Sequence, residues 1–204
     1  FVHADTLRIT GKPESRILRG FYRARMFKRG KPGEAPTSGT CDSIYVNEQQ
    51  GITKLIRNPI LWSGENQMTG DTIHLLSNKV TEELDTLKVF NNAFLIQKDS
   101  AGYNQVKGER LIGLFTENEL DSVSIIKNAP TDYLARNDKN ALIGINTTTA
   151  SSIELYLENQ QIVGTKFIKQ VPGKIYPPSE FPENARILPG FNWRGEERLL
   201  RKSD

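Results

Sequence analysis

Short runs of aliphatic and aromatic residues, separated by polar turns, recur along the whole chain. In residues 152–158 the aliphatic Ile153, Leu155 and Leu157 alternate with polar residues, the period of two that is typical of a strand with one apolar face. Similar signals predict eight strands, at residues 44–46, 55–62, 72–76, 87–96, 111–115, 123–126, 153–157 and 165–168. No segment keeps a helical period over a dozen residues. The pattern therefore predicts little helix beyond a turn near residues 179–184.

The strand openings repeat along the chain. Units that begin at Ile52, Leu84, Leu120 and Ile162 are separated by 32, 36 and 42 residues. Such self-similarity is typical of architectures in which each unit buries its apolar face by stacking on its neighbours. The polar breaks vary in length while the strands keep their pattern, so we expect the insertions in edge loops.

An Asn-containing step lies at one place in three of these units. The steps are Asn58-Pro59, Asn92-Ala93 and Asn128-Ala129. Asn followed by a small or ring-locked residue suits a local bend in a long strand. Bends in register would form a corner along the stack. The predicted fold class is therefore all-β, a stacked-strand β-jelly-roll or "β-taco": a V-shaped or flattened tube with apolar inner walls.

The C-terminal stretch has a different composition. We expect a stacked β-repeat domain over residues 1–171 and a Pro-rich, charged cap or tail over 172–204. The prolines expected to end further strands are Pro172, Pro177, Pro178, Pro182 and Pro189. The aromatic Phe191 and Trp193 either fold back to cover the end of the core or contact a partner, because a last repeat needs its edge covered.

Composition narrows the function classes. The chain has 204 residues, 25% charged residues and a formal net charge of +3, which indicates one domain without the dense basic stripe of a nucleic-acid binder. A looser group of N-terminal cations is either a solvated surface or a site for anionic lipid or phosphate. Its members are Arg16, Arg19, Arg23, Arg25, Lys28, Arg29 and Lys31. No run of 18 apolar residues exists. Because the sequence starts at Phe1 inside a repeat-like motif, we expect further sequence upstream.

Residues with catalytic or metal-binding chemistry are sparse. His3 and His74 have no carboxylate at metal-ligand spacing, and the lone Cys41 is interpreted as a core residue. Aspartates recur before Ser or Thr and are interpreted as turn-capping rather than calcium-binding. These are Asp5, Asp42, Asp71, Asp85 and Asp121. Nucleophile-elbow, phosphate-loop and dinucleotide motifs are missing from the sequence, so we expect no enzyme, no cofactor and no metal.

One block resembles a known family. Residues 58–73, Asn-Pro-Ile-Leu-Trp-Ser-Gly-Glu-Asn-Gln-Met-Thr-Gly-Asp-Thr-Ile, are similar to the OstA-like family, to which LptA and the periplasmic part of LptD belong. The family pattern is an aliphatic strand, a polar turn, Gly-Asp or Ala-Asp, and another strand. Residues 4–7, 41–44 and 84–115 fit this pattern too, so the resemblance extends over about residues 1–168.

The resemblance implies a periplasmic, non-enzymatic component of lipopolysaccharide transport. Lipid A acyl chains would lie in the apolar trough, and the chain would dock end to end with copies of itself or with other Lpt-type envelope proteins. The inward-facing residues expected to bind lipid are Leu87, Val89, Leu111, Phe115, Val123, Ile125, Ile153, Leu155 and Phe167. These same residues could equally form a plain core. The alternative functions are a structural or adhesive β-solenoid with a dry core and a glycan hydrolase, against which alternation places Glu154 and Glu158 on the outer face.

Overall fold

The computed structural model describes residues 1–30, 35–137, 139, 141–159, 161–182 and 186–199, with the side chains of 170–172 left aside. These residues form thirteen strands and a 3-10 helix at Gly195–Glu197. The strands are β1 Val2–His3, β2 Thr6–Thr10, β3 Ile17–Lys28, β4 Thr37–Asn47, β5 Ile52–Ile56, β6 Ile60–Ser63, β7 Asn66–Thr69, β8 Thr72–Ser77, β9 Leu84–Asp99, β10 Gly102–Thr116, β11 Glu119–Arg136, β12 Leu142–Glu158 and β13 Gln161–Tyr176. The all-β prediction is confirmed, and the described residues include no helix that could cross a membrane.

All the strands join one antiparallel sheet that follows the chain order. The main path runs β1-β3-β4-β5-β8-β9-β10-β11-β12-β13, with β2 beside β3 and the short pair β6–β7 bridging β4 and β9. From β9 onward each strand is 15 to 18 residues long and pairs with its neighbours on both sides of a central interruption. Successive hairpins therefore stack on one another in the order of the sequence repeats, as the sequence predicts.

A bend interrupts every second strand at the same level and forms a corner. At Asn58, Asn92 and Asn128 φ is 50°, 50° and 47°, and the residue before each also has positive φ. Asn is among the residues that tolerate this left-handed conformation best. The ladders shift register at these places. The corner predicted from the Asn steps is therefore confirmed, and it divides the predicted strand 55–62 into β5 and β6.

Close approach at the corner requires small residues on the intervening strands. A Cβ on Gly70 would lie 2.3 Å from Val89 Cγ1, and one on Gly108 would lie 2.4 Å from Ile125 Cγ2. Acidic residues that come directly after the small residues pair with side chains across the corner. The pairs are Asp5 with Arg23, Asp42 with Arg57, Asp71 with Asn92 and Glu109 with Lys127, at 2.9 to 3.0 Å. The turn-capping interpretation is wrong for Asp5, Asp42 and Asp71, because their carboxylates join neighbouring strands instead.

The corner folds the sheet into two walls. The first wall contains the whole strands β2, β5 and β8, and the second wall contains β1, β6 and β7. The longer strands β3, β4 and β9–β13 cross the bend, so each contributes one half to the first wall and the other half to the second. Between the walls lies one continuous hydrophobic core. Aliphatic residues of the first wall, such as Ile73 and Leu87, face smaller or unbranched side chains of the second, such as Ala93 and Met68, all of them 0–1% exposed. Burial of this core is the dominant stabilising contribution of the fold.

The outer face of the second wall is also covered. Trp62, Phe94 and Ile96 are buried but lie outside the core between the walls. Their cover is the C-terminal segment 186–199, which we call the strap. Gln67 donates to Asn192 O and accepts from Arg194 N, both at 2.7 Å, and Gln105 makes the equivalent pair with Arg186 O and Leu188 N at 2.8 Å. Each glutamine side-chain amide thus donates one hydrogen bond to the strap backbone and accepts another from it, as the backbone of a neighbouring strand would.

Aromatic residues complete the strap. Tyr103 packs against Phe191 and Trp193, with ring centroids at 5.0 and 5.5 Å. Phe191 and Trp193 therefore fold back, which was one of the two expectations. They cover the outer face of the second wall, however, and not the end of the core.

Strand β13 continues through Pro172 to Tyr176 at a register shift, so the prediction that Pro172 ends the strands is wrong. An edge strand tolerates proline at such an irregularity. The division at residue 172 remains a prediction.

Several expectations fall on parts of the chain outside the description. Lys31, residues 183–184 of the predicted turn and residues 200–204 of the tail lie there, whereas residues 178–180 do form a turn. The lone Cys41 is a buried core residue, as predicted. Burial raises the pKa of its thiol to about 11.

Candidate functional site

The nine residues expected to bind lipid lie together in the core. All nine face the space between the walls. Eight are buried and are 0–7% exposed, and Phe167 is partly buried against them. In this conformation they contact other protein side chains and enclose no open trough. The nine residues thus share one inner face, as the sequence predicts, and lipid binding by that face stays a prediction.

A cavity lies between the walls in the C-terminal half. Leu95 and Val106 of the second wall and Leu155 and Ile162 of the first line it on its apolar side. Its volume is about 10 Å³, which is about the space of one water molecule. The two walls are therefore almost in contact here, and only this small cavity separates them.

The polar side of this cavity was not predicted. Asn104 donates to Gln97 Oε1 at 2.8 Å and accepts from Leu134 N at 2.8 Å, while Thr131 donates to Gln105 O at 2.8 Å. These buried polar groups are satisfied within the second wall and leave its inner surface partly polar. The sequence signal was the break in aliphatic alternation along β9 and β10, where Gln97 and Asn104 occupy inward positions.

The cavity opens toward a mouth opposite the corner. Gln97, Asn104, Tyr133 and Ile162 line both the cavity and a cleft of about 500 Å³ in front of it. At its rim Arg136 pairs with Asp99. Partial burial alone would raise the pKa of Asp99, but hydrogen bonds from Arg136 and from the Ala101 N–H together lower it. Asp99 is therefore ionised at neutral pH and stays paired with Arg136 at the entrance.

In the N-terminal half a loop reaches across the mouth to the second wall. There Lys28 of the second wall donates to the carbonyl of Glu82, in the loop between β8 and β9. Half-burial lowers the pKa of Lys28, although Glu82 and Glu83 act in the opposite direction. The contact joins the two walls on the side opposite the corner. In the N-terminal half a loop thus contacts the opposite wall, whereas in the C-terminal half the cavity between the walls meets a cleft.

Two of the N-terminal cations have carboxylate partners of their own. Arg16 pairs with Glu48 at 3.4 Å and Arg23 pairs with Asp5 at 2.9 Å. The two alternatives for this cluster, a solvated surface and a site for anionic lipid or phosphate, stay predictions, with Arg16 and Arg23 paired to carboxylates.

The described residues contain no group of three or more His, Cys, Asp or Glu side chains that could hold a metal ion. His74 lies on the outer face of the first wall and packs against Phe90 in a tilted arrangement, with the ring centroids 4.7 Å apart. Glu154 also faces outward and accepts hydrogen bonds from Lys166 and Tyr156, at 3.1 and 3.0 Å. These bonds lower the pKa of Glu154. An acid pair across a cleft, which a glycan hydrolase needs, is not formed by Glu154 and Glu158.

Comparison with protein-family models and with curated proteins found no match. Among solved structures, the chain is similar to the crystal structure of LptH, the LptA-homologous periplasmic component of the conserved lipopolysaccharide transport device from Pseudomonas aeruginosa. The identity is 17%, the TM-score is 0.47, and the match covers 63% of this chain and 80% of that chain.

Proposed function

We propose that this protein is a non-enzymatic, periplasmic lipid-binding component of lipopolysaccharide transport that shelters acyl chains between its two walls. The observation that carries the proposal is the inner face in the C-terminal half. There an apolar surface, formed by Leu95, Val106, Leu155 and Ile162, meets a cleft open to the outside. The resemblance of residues 58–73 to the OstA-like pattern supports the choice of lipopolysaccharide as the lipid.

Binding requires the walls to separate. Between β9 and β13 the walls are continuous through the bends at the corner, and on the mouth side they meet through side chains around a small cavity. Opening exposes apolar surface, and an acyl chain that enters restores the burial at about 0.8 kcal/mol per methylene. A chain of about ten methylenes would thus contribute about 8 kcal/mol of burial, enough to offset the local loss of wall-to-wall packing.

Self-association is part of the proposal. In the described residues β2 pairs with β3 alone and β13 pairs with β12 alone, so each end of the stack presents a strand edge. The inner face near the first edge is uncovered: Leu7 and Ile9 are 43% and 56% exposed. Edges with exposed apolar residues favour strand addition by another chain, which would extend the core from one molecule to the next or to another Lpt-type protein.

A photo-crosslinking experiment tests the lipid proposal. A benzophenone amino acid at Leu155, which lines the cavity, is expected to crosslink lipopolysaccharide. The same probe at the neighbouring Glu154, which faces outward, serves as the control and should give only background. Equal labelling at both positions, or none at Leu155 in a variant that melts like the wild type, would contradict the proposal.

The second candidate is a structural scaffold with a dry core. The observation in its favour is the tight contact of the walls, since the cavity has a volume of only about 10 Å³. A scaffold predicts no change in Tm on addition of lipopolysaccharide. A ligand that binds the folded state raises Tm by mass action, so a concentration-dependent increase supports the lipid carrier and a flat response supports the scaffold.

A further inference from the structure

A row of basic side chains crosses the outer face of the first wall. The ladders place Arg8 opposite Arg19, Arg19 opposite Tyr45, Tyr45 opposite Lys54, Lys54 opposite His74, and His74 opposite Lys88. Directly paired residues share a face. The row therefore runs over six adjacent strands, from β2 to β9, a distance of about 24 Å at about 4.8 Å per strand. It assembles residues that are far apart in sequence, which is why the linear pattern did not reveal it.

The charges of this row are not neutralised by acidic side chains. Among the residues the structure describes, no carboxylate lies within 4.0 Å of Arg8, Arg19, Lys54 or Lys88. Arg19 and Lys54 instead lie over the Tyr45 ring, at 5.4 and 5.7 Å.

The pKa of His74 is affected by its neighbours in the row. Partial burial first, and then the positive charges of Lys54 and Lys88, lower the pKa of its imidazole. Of the carboxylates of this wall, Asp42 and Asp71 are at the corner, and Glu48 is in a turn on the mouth side. Asp85 accepts from Thr86 at the mouth end of β9, and Glu154, three strands beyond Lys88, pairs with Lys166. The part of the row from β2 to β9 therefore consists of cations, Tyr45 and His74.

Apolar residues flank the row on both sides. The outward positions on the corner side include Phe21, Ile56 and Phe90, and those on the mouth side include Ile52 and Leu76. None of the twelve flanking positions on these six strands is acidic. The flanking positions are Thr6, Phe21, Ser43, Ile56, Thr72, Phe90, Thr10, Ile17, Asn47, Ile52, Leu76 and Thr86.

We propose that this face docks on a membrane surface that carries anionic headgroups. Cations beside aromatic and aliphatic side chains are the combination that interfacial binding uses, because the charges contact headgroup phosphates while the apolar side chains enter the headgroup boundary. A nucleic acid would be contacted by basic residues with polar neighbours, and here the neighbours include Ile52, Ile56 and Leu76. The proposal does not depend on lipid binding between the walls, since it concerns the opposite face of the first wall.

Vesicle co-sedimentation with the full chain tests this docking. We expect binding to phosphatidylcholine vesicles that contain about 30 mol% phosphatidylglycerol and little binding to phosphatidylcholine alone. Raising the salt from about 50 mM to about 500 mM should weaken the binding, because the Debye length falls several-fold.

Charge variants locate the surface. Lys54→Glu/Lys88→Glu changes two positions of the row, and Lys98→Glu/Lys139→Glu changes two exposed lysines away from it. Each double variant takes the formal charge from +3 to −1. We expect the first to weaken binding at least about 30-fold, which is about 2 kcal/mol at 1.4 kcal/mol per tenfold, and the second to have a much smaller effect.

Three outcomes would overturn the proposal. The first is equal binding to neutral and anionic vesicles, and the second is an equal loss in both double variants. The third is binding of a soluble polyanion such as heparin without any binding of vesicles, which would assign the row to a soluble acidic ligand. If Lys54→Glu/Lys88→Glu melts below the wild type, Lys54→Gln/Lys88→Gln replaces it with the same expectation at reduced magnitude.

Discussion

At the scale of single residues, the two faces of each strand have different structural roles. Leu87 on the inner face is fully buried, whereas Leu114 on the outer face of the adjacent β10 is 49% exposed. The same residue type therefore contributes to stability in proportion to the apolar area it removes from water.

A matched pair of substitutions measures this difference. Leu87→Ala is expected to lower the free energy of unfolding by about 3 kcal/mol, because it leaves a cavity in a close-packed core. Leu114→Ala should cost less than about 1 kcal/mol. Urea unfolding of both variants checks the pair, and equal losses would contradict the assignment of faces.

Asp132 is a buried carboxyl group with one unsatisfied oxygen. Thr147 donates to its Oδ1 at 2.9 Å, while Oδ2 has no hydrogen-bond partner among the described residues. Burial raises the pKa of Asp132, and the Thr147 bond acts weakly in the other direction. The folded state therefore binds this proton more tightly than the unfolded state does. The stabilising contribution of this proton is complete below the unfolded-state pKa and disappears as pH rises through the folded-state pKa.

The expected result is pH-dependent. Asp132→Asn should have a higher Tm than the wild type at pH 7, because it removes the ionisation of a buried group, and the difference should shrink toward about pH 3, below the unfolded-state pKa. The exposed Asp121→Asn is the control and should show no such trend. Thermal melts across this pH range check the prediction, and a difference that grows in acid would contradict it.

At the scale of elements, the corner depends on residues that accept positive φ. Asn128→Gly should therefore be neutral or slightly stabilising, whereas Asn128→Val should lower the free energy of unfolding by about 1–2 kcal/mol, because a β-branched residue is strained at φ 47°. Denaturant unfolding of the two variants checks this, and a tolerated valine would show that the bend does not require left-handed backbone.

The strap is the other element with a specific attachment. Gln67 makes two of the hydrogen bonds to the strap backbone and also accepts from Trp62 Nε1 at 3.2 Å. Gln67→Met leaves these groups unsatisfied at a cost of about 1–3 kcal/mol, so the strap should detach more often.

Tryptophan fluorescence reports this detachment directly. The chain has two tryptophans, Trp62 under the strap and Trp193 within it. We expect a red-shifted emission and faster proteolysis of segment 186–199 in Gln67→Met. Gln50→Met, in an exposed turn, is the control. Unchanged emission together with unchanged proteolysis would show that Gln67 does not hold the strap.

The sequence predicted the inner face, the corner and, as one alternative, the fold-back of Phe191 and Trp193, but not the wall that the strap covers. Period-two alternation and the Asn steps are local signals. Seven of the eight predicted strands lie within observed ones, and the eighth, 55–62, is divided by the corner. The strap is irregular and is bound through Gln67 and Gln105, whose partners are 81 to 127 residues away. One signal was available: the continuous run Ala93-Phe94-Leu95-Ile96 indicates a strand buried on both faces. The strand β3 was missed because its arginines obscure the apolar alternation.

At the scale of the whole molecule, the open edges determine association. We expect the protein to form concentration-dependent oligomers, because Leu7 and Ile9 would be covered by the edge of another copy. Ile9→Asp should shift the equilibrium toward the monomer without lowering Tm greatly, since Ile9 is already 56% exposed. Sedimentation velocity over a range of concentrations checks this. A wild type that stays monomeric at high concentration would contradict the proposed end-to-end docking.

The recurring bend has a consequence for how such chains change in length. Because every hairpin turns at the same level, a duplicated hairpin added beyond β13 would meet its neighbour with matching halves and prolong both layers together. Growth or shortening by whole hairpins thus leaves the cross-section unaltered. Insertion of a single residue within a strand would displace one half against the other and disturb all later pairings.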